Sequence, residues 1–277
     1  MKKVKFYYAN LPNMGDLLNP LLVKELFNLD SERRTYLNCE LSGIGSGLGQ
    51  FLTGGSKVLR ALKKVSSVIY PEVHVWGTGF INEESETDKM FFKKEMKFHA
   101  VRGNLSKARV ERILKRKLDI PVGDAGLLAD RLIKETIEKK YSVGIIPHFK
   151  EQGHPIFQEM NEAYKNSIII DLMEEPIEVI KKIAQCEIII STSLHGLIVA
   201  DSFYIPNQHI VVTSNMKGDG FKYKDYYSAY NIDPNTINLN YEPIPKLEEI
   251  VRNYKIKKEM VDKIKNDLIE CFPFKYN

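Results

Sequence analysis

The sequence predicts an α/β protein built on parallel sheets. Three observations carry this expectation. Runs rich in β-branched residues, such as Ile188 to Ile190, alternate with segments of helical period. Most of these runs end in a glycine-, serine- or asparagine-bearing junction that leads toward the next helix. At 277 residues the chain has room for one large or two compact α/β domains. Strands alternating with helices of this length imply parallel pairing with right-handed crossovers.

The elements follow in order. Val4 to Ala9 reads as a strand, closed by the turn-forming loop Asn10 to Asp16. Leu17 to Leu29 has helical spacing, with Leu18, Leu21, Leu22, Leu26 and Phe27 apolar. The glycine-rich stretch Gly43 to Gly49 comes next. Ser56 to Tyr70 predicts an amphipathic helix with Val58, Leu62, Val65 and Ile69 on one face. Lys57, Arg60, Lys63 and Lys64 lie elsewhere on it. Val73 to Trp76 is a short strand ending in Gly77-Thr78-Gly79, and Phe98 to Val101 is another, followed by Arg102-Gly103. Asn104 is placed to cap a helix whose Arg109, Arg112 and Lys115 read as a solvated face.

The second series is cleaner. Ser142 to Ile146 and Ser167 to Ile170 are strands, and Pro176 behind Glu174 and Glu175 starts a helix that runs to Gln185. Glu187 to Ser191 is a buried strand, Leu194 to Phe203 a helix, and His209 to Thr213 a strand. The Lys- and Glu-rich segment Glu135 to Tyr141 separates the two series, as a linker or a further helix. The expected division is 1–138, 139–245 and a charged helical segment, 246–277, packing back across both halves.

Apolar residues make up 43% and charged residues 27%, with a net charge of +4. That balance suits small anions or anionic lipid and does not argue for nucleic acid. Cys39, Cys186 and Cys271 are odd in number and form no C-x-x-C pair, against both a disulfide framework and structural zinc. The apolar run after Lys3 is too short for a signal peptide, and no run reaches ~18 apolar residues. The expectation is a cytoplasmic protein with membrane contact at most peripheral. The basic helix at Lys57 to Lys64 reads first as a solvated face. Contact with an anionic membrane is the alternative.

The strongest local feature is Ile188-Ile-Ile-Ser-Thr-Ser-Leu-His-Gly196. A buried strand runs into Ser191, Thr192 and Ser193, any of which can cap the following helix. Leu194, His195 and Gly196 then fall at that helix's start. Ligands of open α/β sheets bind outside the carboxyl ends of the strands. A helix N-terminus there favours phosphate or carboxylate. His195 therefore sits where an anion binds. A histidine packed under a loop is the structural alternative.

Arg102 follows a strand end in the same way, and its planar fork suits an oxyanion. Asn13, Gly15 and Asp16 suit a tight turn and a helix cap, or a ligand at a strand's carboxyl end. Gly43 to Gly49 fits neither G-x-G-x-x-G nor G-x-x-x-x-G-K-[ST], so a dinucleotide fingerprint and a P-loop are disfavoured. Close approach of Gly45 and Ser46 to a ligand stays open. Asp124, in Gly123-Asp-Ala-Gly, and His148, in Ile-Pro-His, continue the pattern of polar residues at strand or loop ends. His148 and His154 have no obvious third ligand, so no metal is expected. His74 and His99 read as structural.

Taken in order, these segments resemble the polysaccharide pyruvyl transferase family, closest to the shorter ketal pyruvyltransferases of bacterial exopolysaccharide synthesis. The matching segments are Asn13 to Asp16, Gly43 to Ser46, Trp76 to Gly79, Val101 to Gly103, Gly123 to Leu128, Ile146 to His148, Ser193 to Asp201 and Phe221 to Tyr226. The resemblance implies two Rossmann-like halves facing a cleft, as in the GT-B glycosyltransferases. It implies phosphoenolpyruvate as co-substrate, with no cofactor, and a sugar diol as acceptor, free, nucleotide-linked or lipid-linked. The product is a pyruvate ketal. The family's catalytic histidine matches His195 and its donor-binding arginine Arg102. The remaining positions, Asn13, Gly15, Asp16, Gly45, Ser46, Gly77, Gly79, Asp124, His148, Ser191, Ser193, Leu194 and Gly196, are expected around the substrates. Some members carry arginine two residues before the histidine. Here that position is Ser193, and Lys217 and Lys222 are the candidates to replace its charge. The alternatives are a GT-B-type glycosyltransferase using a nucleotide sugar and a non-catalytic binding homologue.

Overall fold

The computed structural model of the chain describes residues 3–83, 90–213 and 220–274; Lys217 lies outside the described residues. The first part runs β1 (Val4–Tyr7), α1 (Met14–Phe27), β2 (Ser31–Arg34), β3 (Leu41–Ser42), α2 (Lys57–Ile69), β4 (Glu72–Thr78), β5 (Glu95–Val101) and α3 (Asn104–Leu114). A 3₁₀ helix, Ala125–Leu132, follows. The second runs β6 (Tyr141–Ile146), α4 (Ile156–Ala163), β7 (Ser167–Ile169), α5 (Pro176–Ala184), β8 (Cys186–Ser191), α6 (Leu194–Ser202), β9 (Asn207–Val211), α7 (Phe221–Ser228) and β10 (Thr236–Asn238). It ends in α8 (Leu247–Asn253) and α9 (Lys258–Glu270).

The strands form two five-stranded sheets, β2-β1-β3-β4-β5 and β10-β9-β8-β6-β7, with every pairing parallel. Renumbered from its first strand, the second sheet has the same order as the first, 2-1-3-4-5. The chain is thus α/β with two Rossmann-like halves. In this order the direction of winding reverses between the first and third strands, and the crevice at that switch point is where such sheets bind ligands. The switch points here are β1/β3 and β6/β8.

The central strands are apolar on both faces because helices cover both. Val143, Ile145, Ile146, Ile189 and Ile190 are fully buried. The segment 133–140 between the halves has neither helix nor strand. The C-terminal segment touches both halves. Trp76 of β4 donates its indole N–H to Leu268 O at 2.9 Å, and Lys265 Nζ donates to Ser202 O at 2.6 Å. Phe272 stacks on Phe27, ring centroids 3.7 Å apart. His74 and His99 form a 2.8 Å ring–ring contact in the strands, as expected of structural histidines.

Three expectations change. Gly103 rather than Asn104 is the N-cap of α3, and Asn104 Nδ2 instead donates to Ser228 O at 2.6 Å. Arg109 is buried rather than solvated. It lies 3.9 Å over the Phe80 ring and donates to Asn82 O at 2.7 Å, its stem covered and its charge spread on an aromatic face. The amphipathic helix α2 forms, but Lys63, read with Lys57 to Lys64 as part of a solvated face, is buried, together with Ser66. Lys63 Nζ donates to the carbonyls of Leu52 and Gly54. Ser66 Oγ accepts from Lys93 Nζ at 3.0 Å and donates to Leu37 O. Because hydrogen bonds fix the inner face, the apolar stripe Val58, Leu62, Val65 and Ile69 points outward.

Candidate functional site

A cavity of about 300 Å³ opens where the two switch points meet. Its lining takes Tyr7, Tyr8 and Ala9 from the end of β1, Ser42 and Ile44 to Gly47 from the end of β3, and Asn13 and Asp16 from the start of α1. The second half gives His148 and Phe149 after β6 and Ser193, Leu194 and His195 after β8. Thr78, Arg102 and Lys222 also line it. Of the expected residues, Asn13, Asp16, Gly45, Ser46, Arg102, His148, Ser193, Leu194 and His195 therefore share one cavity, although the first and last are far apart in sequence.

His195 is at the second position of α6, and Ser193 is the N-cap without a side-chain bond to the helix. Ser191 Oγ instead accepts from Ser193 N–H at 2.8 Å and donates to Ile146 O at 3.0 Å, which shapes the strand-to-helix turn. Thr192 Oγ1 accepts from His148 N–H at 2.7 Å, so the two loops of the second half are tied together. Among the described residues, no side chain or backbone group hydrogen-bonds the His195 ring. Burial first, then the charges of Lys222 and Arg102 and the neighbouring His148 ring, pull its pKa down to about 3. Burial likewise takes His148 down to about 4. Both rings are neutral at neutral pH.

Arg102 is fully buried and is not a lone cation. Its Nε donates to Asp225 Oδ2 at 2.9 Å, its Nη2 to Phe80 O, and its Nη1 to Ser46 Oγ at 2.7 Å. Asp225 lies in α7 of the other half and also accepts from Ser106 N–H at 2.7 Å and Ser106 Oγ at 2.6 Å. The pair joins the halves. Lys222, one turn earlier in α7, keeps a cation for the cavity. Among the described residues it has no carboxylate within ion-pair distance, its Nζ sits 5.0 Å over the Tyr223 ring, and burial first, then Arg102, lowers its pKa to about 8. It supplies positive charge where Ser193 does not.

Asp16 is the acidic group of the cavity. Asn13 Nδ2 donates to Asp16 Oδ2 at 2.6 Å, and Asp16 N–H returns a bond to Asn13 Oδ1 at 3.1 Å. Burial outweighs that bond and raises the carboxyl to about 6. Thr78 Oγ1 holds the glycine loop, donating to Gly45 O at 3.0 Å and accepting from Gly47 N–H at 3.1 Å. Gly45 has φ +111°, a conformation side chains avoid, which explains a glycine at this bend.

The other expected residues act behind the wall. A Cβ on Gly15 would lie 2.0 Å from His195 Nδ1, so Gly15 is the surface against which the imidazole packs. A Cβ on Gly79 would lie 2.6 Å from Asp225 Oδ2, and one on Gly196 2.7 Å from Ser191 Oγ. Gly77 and Asp124 support the turn under β4: a Cβ on Gly77 would lie 2.8 Å from Ala125 N, and Asp124 Oδ1 accepts from Gly126 N–H at 2.9 Å. Sequence reasoning missed Asp225, Thr78, Tyr7 and Tyr8. The segment Phe221 to Tyr226 held a signal for the first. Its Lys222 faces the cavity, its Tyr223 hydroxyl donates to Thr192 O at 2.7 Å, its Asp225 binds Arg102, and its Tyr226 hydroxyl bonds Asp201.

Comparison with known proteins fits this arrangement. The sequence profile of the family described as polysaccharide pyruvyl transferase matches residues 13–214. The chain is similar to the succinoglycan biosynthesis protein ExoV of Rhizobium meliloti (strain 1021), 28% identical over 241 residues, covering 87% of this chain and 66% of that protein. It is also similar to an uncharacterized protein of Acanthamoeba polyphaga mimivirus, 26% identical over 163 residues, covering 57% of this chain and 55% of that protein. The chain thus spans between about half and two thirds of the length of these curated relatives.

Proposed function

Because the chain belongs to the polysaccharide pyruvyl transferase family, we propose that it transfers the enolpyruvyl group of phosphoenolpyruvate to a sugar diol in surface or exopolysaccharide synthesis. The products are a pyruvate ketal and phosphate. The observation that carries this reading is the His195 ring, without a hydrogen bond among the described residues, in one cavity with Lys222 at the junction of both switch points. The match to a succinoglycan biosynthesis protein supports the polysaccharide assignment.

The reaction places specific demands on the site. A proton must reach the methylene carbon of the enol phosphate, two hydroxyl oxygens must bond its central carbon, and the C–O bond to phosphate must break. One hydroxyl proton replaces the one given to carbon, and the other leaves with phosphate. In our reading Lys222 and the N–H groups at the start of α6 hold the anionic donor. The donor's roughly three negative charges raise the pKa of His195 from its low value, so the ring takes up a proton as donor binds. His195 then delivers it to carbon and, neutral again, accepts a proton from an attacking hydroxyl. Asp16 is a second group able to accept a hydroxyl proton. Arg102, held by Asp225, positions Ser46 through a hydrogen bond and adds positive charge at the cavity wall.

The experiment is incubation with phosphoenolpyruvate and a panel of diol-bearing sugars, free, nucleotide-linked and lipid-linked. Stoichiometric phosphate and ketal are expected. Consumption of a nucleotide sugar with phosphoenolpyruvate untouched rejects the reading in favour of a glycosyltransferase.

A further inference from the structure

Helix α2 is amphipathic in the inverse sense. At 100° per residue, Val58, Ala61, Leu62, Val65, Val68 and Ile69 fall within an arc of about 120°. Val58 is 71% exposed, Leu62 50%, Val65 56%, Val68 64% and Ile69 61%. The opposite side carries the buried Lys63 and Ser66, whose hydrogen bonds to Leu52, Gly54, Leu37 and Lys93 fix the helix on the protein. Rolling the stripe inward would break these bonds and turn Lys63 and Ser66 away from their partners. The stripe is therefore a stable outward face.

The charges beside it name its occupant. Lys57 and Lys64 border the stripe along one edge, with Arg60 next to them, and all three are exposed. The helix, KVLRALKKVSSVI, has no acidic residue, and among the described residues none of these three cations has an ion-pair partner. An exposed apolar stripe edged by unpaired cations matches an anionic lipid surface, into which the apolar side chains insert while the cations meet headgroup phosphates. A second copy of the chain fits poorly. Antiparallel two-fold pairing along α2 would bring like-charged rows together, and in either sense one stripe on a helix of ~20 Å is narrow beside the ~800 Å² per partner of a stable interface.

We propose that α2 is a peripheral membrane-docking helix that lies flat on bilayers containing anionic lipid. The loop that lines the cavity, Ile44 to Gly47, runs into α2 through residues 48–56, so the docking helix is tied in sequence to the cavity wall. The inference does not depend on the reaction in the cleft, and its test needs no activity.

The test is sedimentation of the purified full chain with vesicles of phosphatidylcholine, alone or mixed with phosphatidylglycerol. The protein is expected to pellet with the mixed vesicles and not with phosphatidylcholine alone, and to release as salt rises. Lys57→Gln/Arg60→Gln/Lys64→Gln should lower the partition coefficient ~100-fold, about fivefold per charge. Leu62→Ser/Val65→Ser should lower it at least ~10-fold with the charges intact. These positions are exposed, so unchanged melting confirms folding, and the salt dependence of the wild type reads the same interaction without any variant. Absence of binding to mixed vesicles overturns the proposal, as does undiminished binding of both variants. A dimer in lipid-free solution that Leu62→Ser/Val65→Ser dissociates also overturns it and makes the face an interface between copies.

Discussion

Gly15 and His195 meet in direct contact across the two halves: a Cβ on Gly15 would lie 2.0 Å from Nδ1 of the imidazole. Gly15 is in the first turn of α1, where alanine is otherwise the better helix former. Gly15→Ala should therefore leave the fold intact and push the ring out of place. The expected outcome is kcat lowered ~100-fold, with a melting temperature within a few degrees of wild type. Paired kinetics and thermal denaturation check it. An active Gly15→Ala would show that the ring's position is not needed.

The buried pair of Arg102 and Asp225 joins the residue after β5 in one half to α7 of the other. Removing either partner leaves a buried charge unmatched. Asp225→Ala and Arg102→Met should each cost about 3–5 kcal/mol in denaturant unfolding. The double variant should cost less than their sum, because no isolated charge remains.

Lys222 should act on donor binding. Lys222→Met is expected to raise KM for phosphoenolpyruvate ~10- to 100-fold, the range for a lost hydrogen bond to a charged group. Lys222→Arg should recover part of that loss. A change in kcat alone would place the lysine's effect in the chemical step.

The low pKa of His195, about 3, gives a linkage prediction. In the unfolded chain a histidine titrates near 6.5. Between those values the unfolded state binds the extra proton, so the contribution of neutral His195 is complete above pH ~6.5 and is lost as pH falls below it. Asp16, Asp124 and Asp201, each raised to about 6 by burial, act with the opposite sign in the same window. The comparison is therefore made between wild type and His195→Gln. Their stability difference should shift by about 2.5 kcal/mol against wild type between pH 7 and pH 4.5.

The legible parts of the sequence were those with strong local signals. β8 and α6 read clearly because Ile188 to Ile190 form an unbroken buried run that ends in Ser191, and His195 follows at once. Parallel pairing and the cavity at strand ends follow from the same alternation. β2, Ser-Glu-Arg-Arg, was not legible: it is an edge strand with no buried residue, so no apolar alternation marks it. β3 has only two residues, and β10 is a three-residue edge strand. The stripe on α2 was visible, but not its direction, because the bonds of Lys63 and Ser66 that turn it outward are made to residues as far away as Leu37 and Lys93. The partner of Arg102 was hidden for a related reason. Asp225 is 123 residues away, and a single sequence carries no sign of such a pairing.

The central claim is that His195 moves a proton to the methylene carbon of phosphoenolpyruvate. Its most direct test is the reaction in deuterium oxide with a competent sugar acceptor, read by phosphate release and by the ketal's methyl signal in NMR. One solvent deuteron in each ketal methyl group is predicted, with phosphate and ketal in equal amounts. His195→Gln should be slower by at least ~100-fold. Ketal formation by His195→Gln near the wild-type rate would contradict the account.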